Sequence, residues 1–341
     1  MLEPDTLPLL RKGRNLLAFS AGVDSSALFH LLLERNIPFD LATVDYRTRP
    51  QSEAEAAHAR ALAERHGKRL HLLLHPLDPE MAGFEEAARK VRYGWFEEIV
   101  ETHGYDTLIT AHQLDDLLEW HLMQLCRGAG CAELAGMRPI EERGSDEGKK
   151  HYLLIRPLLF TPKQTLLEYL ERNALPYFVD ESNESARHTR NRFRQRAARF
   201  LMQESPEGIA RSFRYMLKDR EALRPEPEIL FTHGDLALFR RPEERMALTR
   251  QIGALLKAKG YLPSRAQKEE AAEKGSVVIG GRWAVELDER FVWIAPYRTA
   301  AMPKPFRERC RKARIPEKVR PYLFETEGLE PLLSALERFS S

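Results

Sequence analysis

Cysteine is scarce: the 341 residues contain three, Cys126, Cys131 and Cys310, and no C-x-x-C pair. That excludes a disulfide framework and makes zinc or redox chemistry a poor starting point. The C-x4-C spacing of Cys126 and Cys131, with no third partner nearby, reads as buried packing. Long apolar runs are missing as well. None approaches the roughly 18 residues of a membrane span, and the opening MLEPDTLPLLRKGR lacks the basic-then-apolar order of a secretory signal. The expected location is cytoplasmic, with no membrane partner. Nor does one sign of charge dominate, since 53 Lys and Arg face 51 Asp and Glu for a net +2.

What is present is a globular balance, 43% apolar and 30% charged, which excludes disordered and collagen-like chains. At about 150 residues per domain, the length predicts two domains. The charge is unevenly spread. Residues 187–220 hold ten Lys or Arg against three acids, and residues 298–320 hold nine against two, so the remainder is net acidic. Two basic segments on an acidic body suggest a polyanion held at particular places, or else solvated helix faces.

From residue 15 to about 127 short apolar runs alternate with helical periods. NLLAF (15–19), FDLATV (39–44), RLHLLL (69–74) and TLITAH (107–112) read as buried strands, with helices near 25–36, 51–67, 84–103 and 114–126. This spacing predicts an α/β fold, a parallel sheet with helices on both faces, whose ligands sit beyond the carboxyl ends of the strands. EERGSDEGKK (141–150) reads as an exposed loop. Thr161 and Pro162 read as an N-cap and first helical residue of a helix reaching about Asn173. A basic helix is expected at 188–203, and SPEG at 205–208 marks a domain boundary, giving domains 1–205 and 206–341. The second reads as a smaller α+β unit, with helices near 209–223, 242–259 and 264–273 and strands at VVIGG and WAVELDERFVWIA.

After the first strand comes Ser20-Ala21-Gly22-Val23-Asp24-Ser25-Ser26, then the apolar helix ALFHLLL. Strand, tight loop and helix N-terminus form a natural anion cradle. The G-K-[ST] ending of a Walker A loop is absent. In the helix expected from Leu114, Asp115, Asp116 and Glu119 fall on neighbouring positions near the N-terminus. Such acids either cap the helix or meet a cation, Mg²⁺ or an ammonium.

The loop resembles the S-G-G-x-D-S pyrophosphate loop of the N-type ATP pyrophosphatases, with Ala21 in place of the first glycine. Three further stretches narrow the resemblance to the tRNA(Ile)-lysidine synthetases. FEEAARKVRY (84–93) is similar to their L-E-x-x-A-R-x-x-R-Y, AHQLDDLLEWHLMQLCRGAG (111–130) to A-H-x-x-D-D-x-x-E-T…L-x-R-G-x-G, and DESNESARHTRNRFR (180–194) to D-x-S-N followed by R-N-x-x-R. RPLL (156–159) follows in the family's order. The chain departs at Val44-Asp45-Tyr46, where the family usually has H-x-H, and at Trp120, where threonine is common.

The resemblance implies an adenine nucleotide alpha hydrolase-like fold and an enzyme that uses ATP with Mg²⁺ to join free L-lysine to C2 of the wobble cytidine of tRNA(Ile) with a CAU anticodon. It implies ATP contacts from Ser20, Ala21, Gly22, Val23, Asp24 and Ser25, and a lysine site at Asp115, Asp116 and Glu119. Catalytic roles fall to Asp24, Asp115, Asp116 and Arg192. Phosphate or tRNA contacts fall to Arg89, Arg92, Arg127, Arg190, Asn191 and Arg194. A homodimer stays open. The rival readings are a tRNA thiolase of the same superfamily, a nucleotide-binding module without catalysis, and a small-metabolite ligase, the last leaving both basic segments unexplained.

Overall fold

The computed structural model describes residues 1–48, 51–81, 83–144, 151–179, 192–223 and 227–340. They form two compact units, Met1–Arg220 and Glu221–Ser341.

In the first unit the apolar runs become strands β1 (Asn15–Ala18), β2 (Asp40–Asp45), β3 (Leu70–Leu74) and β4 (Thr107–Ile109), joined by β5 (Ile140–Arg143) and β6 (Tyr152–Ile155). The sheet order is β3-β2-β1-β4-β6-β5, parallel except for the antiparallel edge strand β5. Its helices are α1 (Leu7–Lys12), α2 (Val23–Glu34), α3 (Gln51–Arg65), α4 (Phe84–His103), α5 (Leu114–Cys126), α6 (Cys131–Leu134), α7 (Lys163–Arg172), α8 (Arg199–Glu204) and α9 (Pro206–Leu223).

The continuous apolar strands follow from burial on both faces. Leu17, Leu41, Ile109 and Ile155 point to one face, where Leu28 and Phe29 of α2, Leu62 of α3 and Leu166 of α7 cover them. Their neighbours Leu16, Ala42, Leu108 and Leu154 point to the other, against Phe96, Ile99 and Val100 of α4. Chain order reverses between β1 and β4, so a crevice opens at their carboxyl ends, where α2 and α5 begin.

Three expectations change. Residues 141–143 belong to β5, an edge strand paired to β6, rather than to a loop. Pro162 is the N-cap of α7, and the Thr161 hydroxyl donates to the Met1 carbonyl (2.6 Å) instead of capping that helix. The compact units divide between Arg220 and Glu221, in the last turn of α9, rather than at SPEG: Ala210, Phe213 and Leu217 of that helix pack with Leu114, Leu117, Leu159 and Phe160.

The second unit is an antiparallel sheet of β7 (Ile229–His233), β8 (Leu236–Arg240), β9 (Ser276–Ile279), β10 (Trp283–Leu287) and β11 (Phe291–Pro296), in the order β7-β8-β11-β10-β9. Helices α10 (Arg245–Ala258) and α11 (Arg265–Lys274) cover Phe239, Val285, Val292 and Ile294. Helices α12 (Lys304–Lys312), α13 (Arg320–Glu325) and α14 (Leu329–Ser340) cover the alternate residues Leu238, Trp293 and Ala295. Among the described residues no helix is long and apolar enough to cross a membrane.

Candidate active site

The turn after β1 is bent by Ala21, whose φ of +58° lies in the left-handed region. Its carbonyl accepts from the Phe178 amide (2.9 Å) and the Ser26 hydroxyl (3.2 Å), which fixes the bend. Ser25 Oγ accepts from the Ser20 amide (3.2 Å) and donates to the Gly22 carbonyl (3.2 Å), so that hydroxyl shapes the loop from within. Gly22 caps α2. The amides of Val23, Asp24 and Ser25 therefore open the helix with no carbonyl one turn back to bond, and the helix dipole adds positive potential there.

Across the crevice, α5 starts with a reciprocal cap. Gln113 Oε1 accepts from the Asp115 amide (2.6 Å), and Asp116 Oδ2 accepts from the Gln113 amide (3.1 Å). Asp115 Oδ2 accepts from the amide of Lys163, the first residue of α7 (2.9 Å). Glu119, one turn further along α5 and 1% exposed, pairs with Arg194 at 2.5 Å. His112 Nδ1 shares a hydrogen bond with Thr110 Oγ1 (2.9 Å).

These groups form one electrostatic cluster. Burial, then the charges of Asp116 and Asp115, push the Asp24 carboxyl up to about 7, while Lys163 and Arg194 pull it down. Asp24 Oδ1 is sealed from solvent and has no hydrogen-bond donor among the described residues. Burial also raises Asp115, with the Lys163 amide opposing and Asp116 and Glu119 adding to the rise. Three aspartates competing for few counter-charges make a site that gains from an incoming cation. Among the described residues no group of three or more His, Cys, Asp or Glu is arranged to hold a metal.

The other sequence candidates lie outside this cluster or on its border. Arg192 is exposed at the start of the segment leading to Arg194. Arg89 stacks over the Tyr93 ring (4.7 Å) on α4. Burial raises the Tyr46 hydroxyl, the Arg92 charge offsetting part of the rise, and that hydroxyl donates to the Ala88 carbonyl (2.7 Å). Arg127 is exposed at the opposite end of α5, about 18 Å from Asp115 at 1.5 Å per residue. Arg190 and Asn191 lie outside the described residues. Where the family usually has H-x-H, buried Asp45 accepts from the Arg47 amide (2.8 Å) and pairs with its guanidinium (3.1 Å).

Two further corrections concern arginines and cysteines. Part of the first basic segment is structural: Arg220 is buried and donates to the Gly136 carbonyl (2.7 Å), and Arg214 pairs with Glu3 (2.8 Å). Arg192, Arg196, Arg199, Arg211 and Lys218 remain exposed. Cys126 and Cys131 are exposed, not buried, because α5 ends and α6 begins at the surface. Sequence reasoning missed Lys163. The helix start after RPLL was visible, but nothing local shows that α7 opens on the same edge of the sheet as α2 and α5.

A PP-loop domain family matches residues 4–201. The tRNA(Ile)-lysidine synthase of Wolinella succinogenes is 43% identical over 326 residues, covering 95% of this chain and 96% of its own length. Those of Helicobacter pylori strain J99 and Campylobacter jejuni strain RM1221 are each 40% identical, over 99% and 95% of this chain and 95% and 96% of theirs. The chain belongs to the tRNA(Ile)-lysidine synthase family. Membership extends through the second unit, since these lysidine synthases align over nearly their whole lengths. A U34-tRNA thiolase, NcsA from Methanococcus maripaludis, shares the fold at a TM-score of 0.51 and 20% identity, covering 67% of this chain and 78% of that one.

Proposed function

We propose that this lysidine synthase family member adenylates the wobble cytidine of tRNA(Ile) with a CAU anticodon and then exchanges AMP for free L-lysine, working in the cytoplasm where that tRNA is found. The observation that carries the reading is the meeting of Asp24, from the phosphate-type loop, with Asp115 and Asp116 in one charge cluster at the sheet's carboxyl edge.

In the first step the cytidine C2 oxygen attacks the α-phosphorus of ATP. The bond from that phosphorus to the bridging oxygen breaks, and pyrophosphate leaves with the electron pair. The loop Ser20 to Ser25 would hold the pyrophosphate portion on the α2 amides. Mg²⁺ fits as a companion of the triphosphate rather than a resident ion. Asp24, with its unpartnered Oδ1, and the phosphates would hold it, and it would supply charge neutralisation.

In the second step the lysine ε-nitrogen attacks C2 and the C2–O bond breaks, AMP leaving with that oxygen. A free lysine amine has a pKa of about 10.4 and arrives protonated. Asp115 and Asp116 would bind the ammonium, orient it and take a proton. Burial raises Asp115 toward the range in which a carboxylate is an effective base. Glu119 would act through its pair with Arg194, which sets the wall of the pocket. The exposed Arg192, Arg196 and Arg199 and the α12 residues Arg307, Arg311 and Lys312 would hold tRNA phosphates.

The test is transfer of labelled lysine into tRNA(Ile) bearing CAU, with ATP and Mg²⁺. Native protein should incorporate label, and Asp116→Asn, which keeps an oxygen for the Gln113 amide, should lower the rate more than 100-fold. Incorporation of sulfur, or ATP binding without lysine transfer, would overturn the proposal.

A further inference from the structure

Of the four tryptophans, Trp283 and Trp293 are buried, Trp95 is half-buried and Trp120 is 41% exposed. A single apolar side chain at a surface signals little by itself. The position of this one changes that. Trp120 follows Asp116 by one turn of α5, so the two share a helix face, about 6 Å apart along the axis.

The indole is seated rather than loose. Gly136, at a left-handed φ of +71°, brings bare backbone against it. A Cβ at that position would stand 3.2 Å from Trp120 Cδ1 and 2.7 Å from Leu117 Cδ1, so it is the missing side chain of glycine that lets the five-membered edge of the indole rest there. The seat is itself anchored. Buried Arg220 of α9 donates to the Gly136 carbonyl (2.7 Å), and His121 Nδ1 donates to the Leu134 carbonyl (2.9 Å) while its ring meets Phe213 edge-on. These bonds tie the turn after α6 to α5 and α9, and they hold the ring while leaving part of it open to solvent.

The neighbouring segment supplies the other half of a nucleic-acid surface. Arg194 pairs with Glu119, the residue before Trp120, and Ala198 packs with Leu114 and Leu117 of the same helix. Arg196 and Arg199 of that segment are exposed. An exposed indole beside an arginine-bearing segment is the combination that holds single-stranded RNA, with bases stacking on the ring and phosphates meeting the cations.

We propose that Trp120 is a stacking platform for an anticodon-loop base adjoining the wobble cytidine, held in position by the Gly136 seat. The reacting cytidine has to lie over Asp115 and Asp116, which leaves the indole one turn beyond for a neighbouring base. Threonine, common at this position in the family, has no ring, so the platform belongs to chains that carry tryptophan here. The inference rests on the tRNA modification proposed above and adds a substrate contact to it.

Lysine incorporation measured against tRNA(Ile) concentration, with ATP, Mg²⁺ and lysine in excess, separates binding from chemistry. Trp120→Leu, which keeps apolar packing on Leu117, should raise KM for the tRNA about 10-fold or more and leave kcat within about 3-fold, and Trp120→Thr should match it. Trp120→Phe, which keeps a ring, should stay within about 3-fold of native in both. A second measurement uses tRNA with an abasic nucleotide on one side or the other of the wobble cytidine. Loss of the stacked base should raise KM for the native protein at one of these positions and have no further effect on Trp120→Leu, which has already lost the partner. A merely structural role would make the two losses add. Native KM in Trp120→Leu, or abasic penalties equal in native and variant at both positions, would overturn the inference. Native KM together with a change of oligomeric state would also overturn it and assign the indole to a contact between copies of the chain. Failure of the native protein to modify the tRNA would instead bring down the functional reading beneath it.

Discussion

Arg194 Nε lies 2.5 Å from Glu119 Oε1, and the carboxylate it meets is 1% exposed. The pair ties the arginine-rich segment to the helix that carries Asp115 and Asp116. Removing Arg194 takes a short-range counter-charge away from a buried carboxylate. Arg194→Met should therefore cost about 3 kcal/mol in urea unfolding, and Glu119→Gln combined with it should recover part of that loss. If the double variant is no more stable than Arg194→Met, the two residues are not coupled. Lysine transfer should fall in Arg194→Met and in Glu119→Gln, because Glu119 stands one helical turn from Asp115 and Asp116 on α5.

Asp24 sits in the loop at an energetic cost to the empty protein. Its carboxyl is held near 7 in the folded chain, above the ordinary 3.8. A raised acid contributes its full stability below the unfolded value and loses it as pH rises through the folded one, so the loss spans about pH 4 to 7. Asp24→Asn removes the titration. In urea denaturation it should be more stable than native by about 2 to 4 kcal/mol at pH 8, with the difference shrinking toward zero below about pH 4. A constant difference across that range would show that Asp24 is not the titrating group. The same variant should lose adenylation, the usual exchange of function for stability.

The parallel sheet was legible because strands buried on both faces leave short, unbroken apolar runs between helical periods, as NLLA and DLATVD do. That the turn after β1 and the acids at the start of α5 share one edge of the sheet was legible for a related reason: parallel strands feed their helices from the same end. Edge strand β5 was not, since Ile-Glu-Glu-Arg has no apolar pattern and pairs only through β6. The hairpin of β7 and β8 was missed although its two-residue loop, Gly234-Asp235 with Gly234 at positive φ, is an ordinary hairpin signal. Lys163 was invisible in principle. Its meaning comes from two crossovers that bring α7 beside α2, and no local window contains them.

Ala21 holds a left-handed φ of +58° while 1% exposed, a conformation glycine would take without strain. Ala21→Gly relieves about 1 kcal/mol of backbone strain and gives up a buried methyl and chain stiffness of similar worth. It should shift stability by less than about 1 kcal/mol and leave ATP affinity nearly unchanged. Ala21→Val adds β-branching at the same φ inside a filled core and should destabilise by about 2 kcal/mol or more in urea unfolding. Equal stability of the valine variant and the native chain would mean that the turn relaxes freely, and the cradle would then not be preformed.

If both basic segments hold tRNA phosphates, as proposed, each should carry its own salt dependence. Arg196, Arg199 and Arg211 are exposed in the first unit, as are Arg307, Arg311 and Lys312 in the second, whereas Arg309 is engaged with Glu330 at 2.6 Å. For every phosphate that no longer meets a cation, the plot of log affinity against log salt should flatten by about 0.7 to 0.9. Reversing either set of three to Glu should then reduce that slope by about 2 and weaken binding at about 100 mM salt more than 10-fold, as read by filter binding across a salt series. Arg309→Glu alone should change the slope little, since its charge is already answered. If one triple variant keeps the native slope, that segment does not meet phosphate, and its arginines serve only the surface of their own unit.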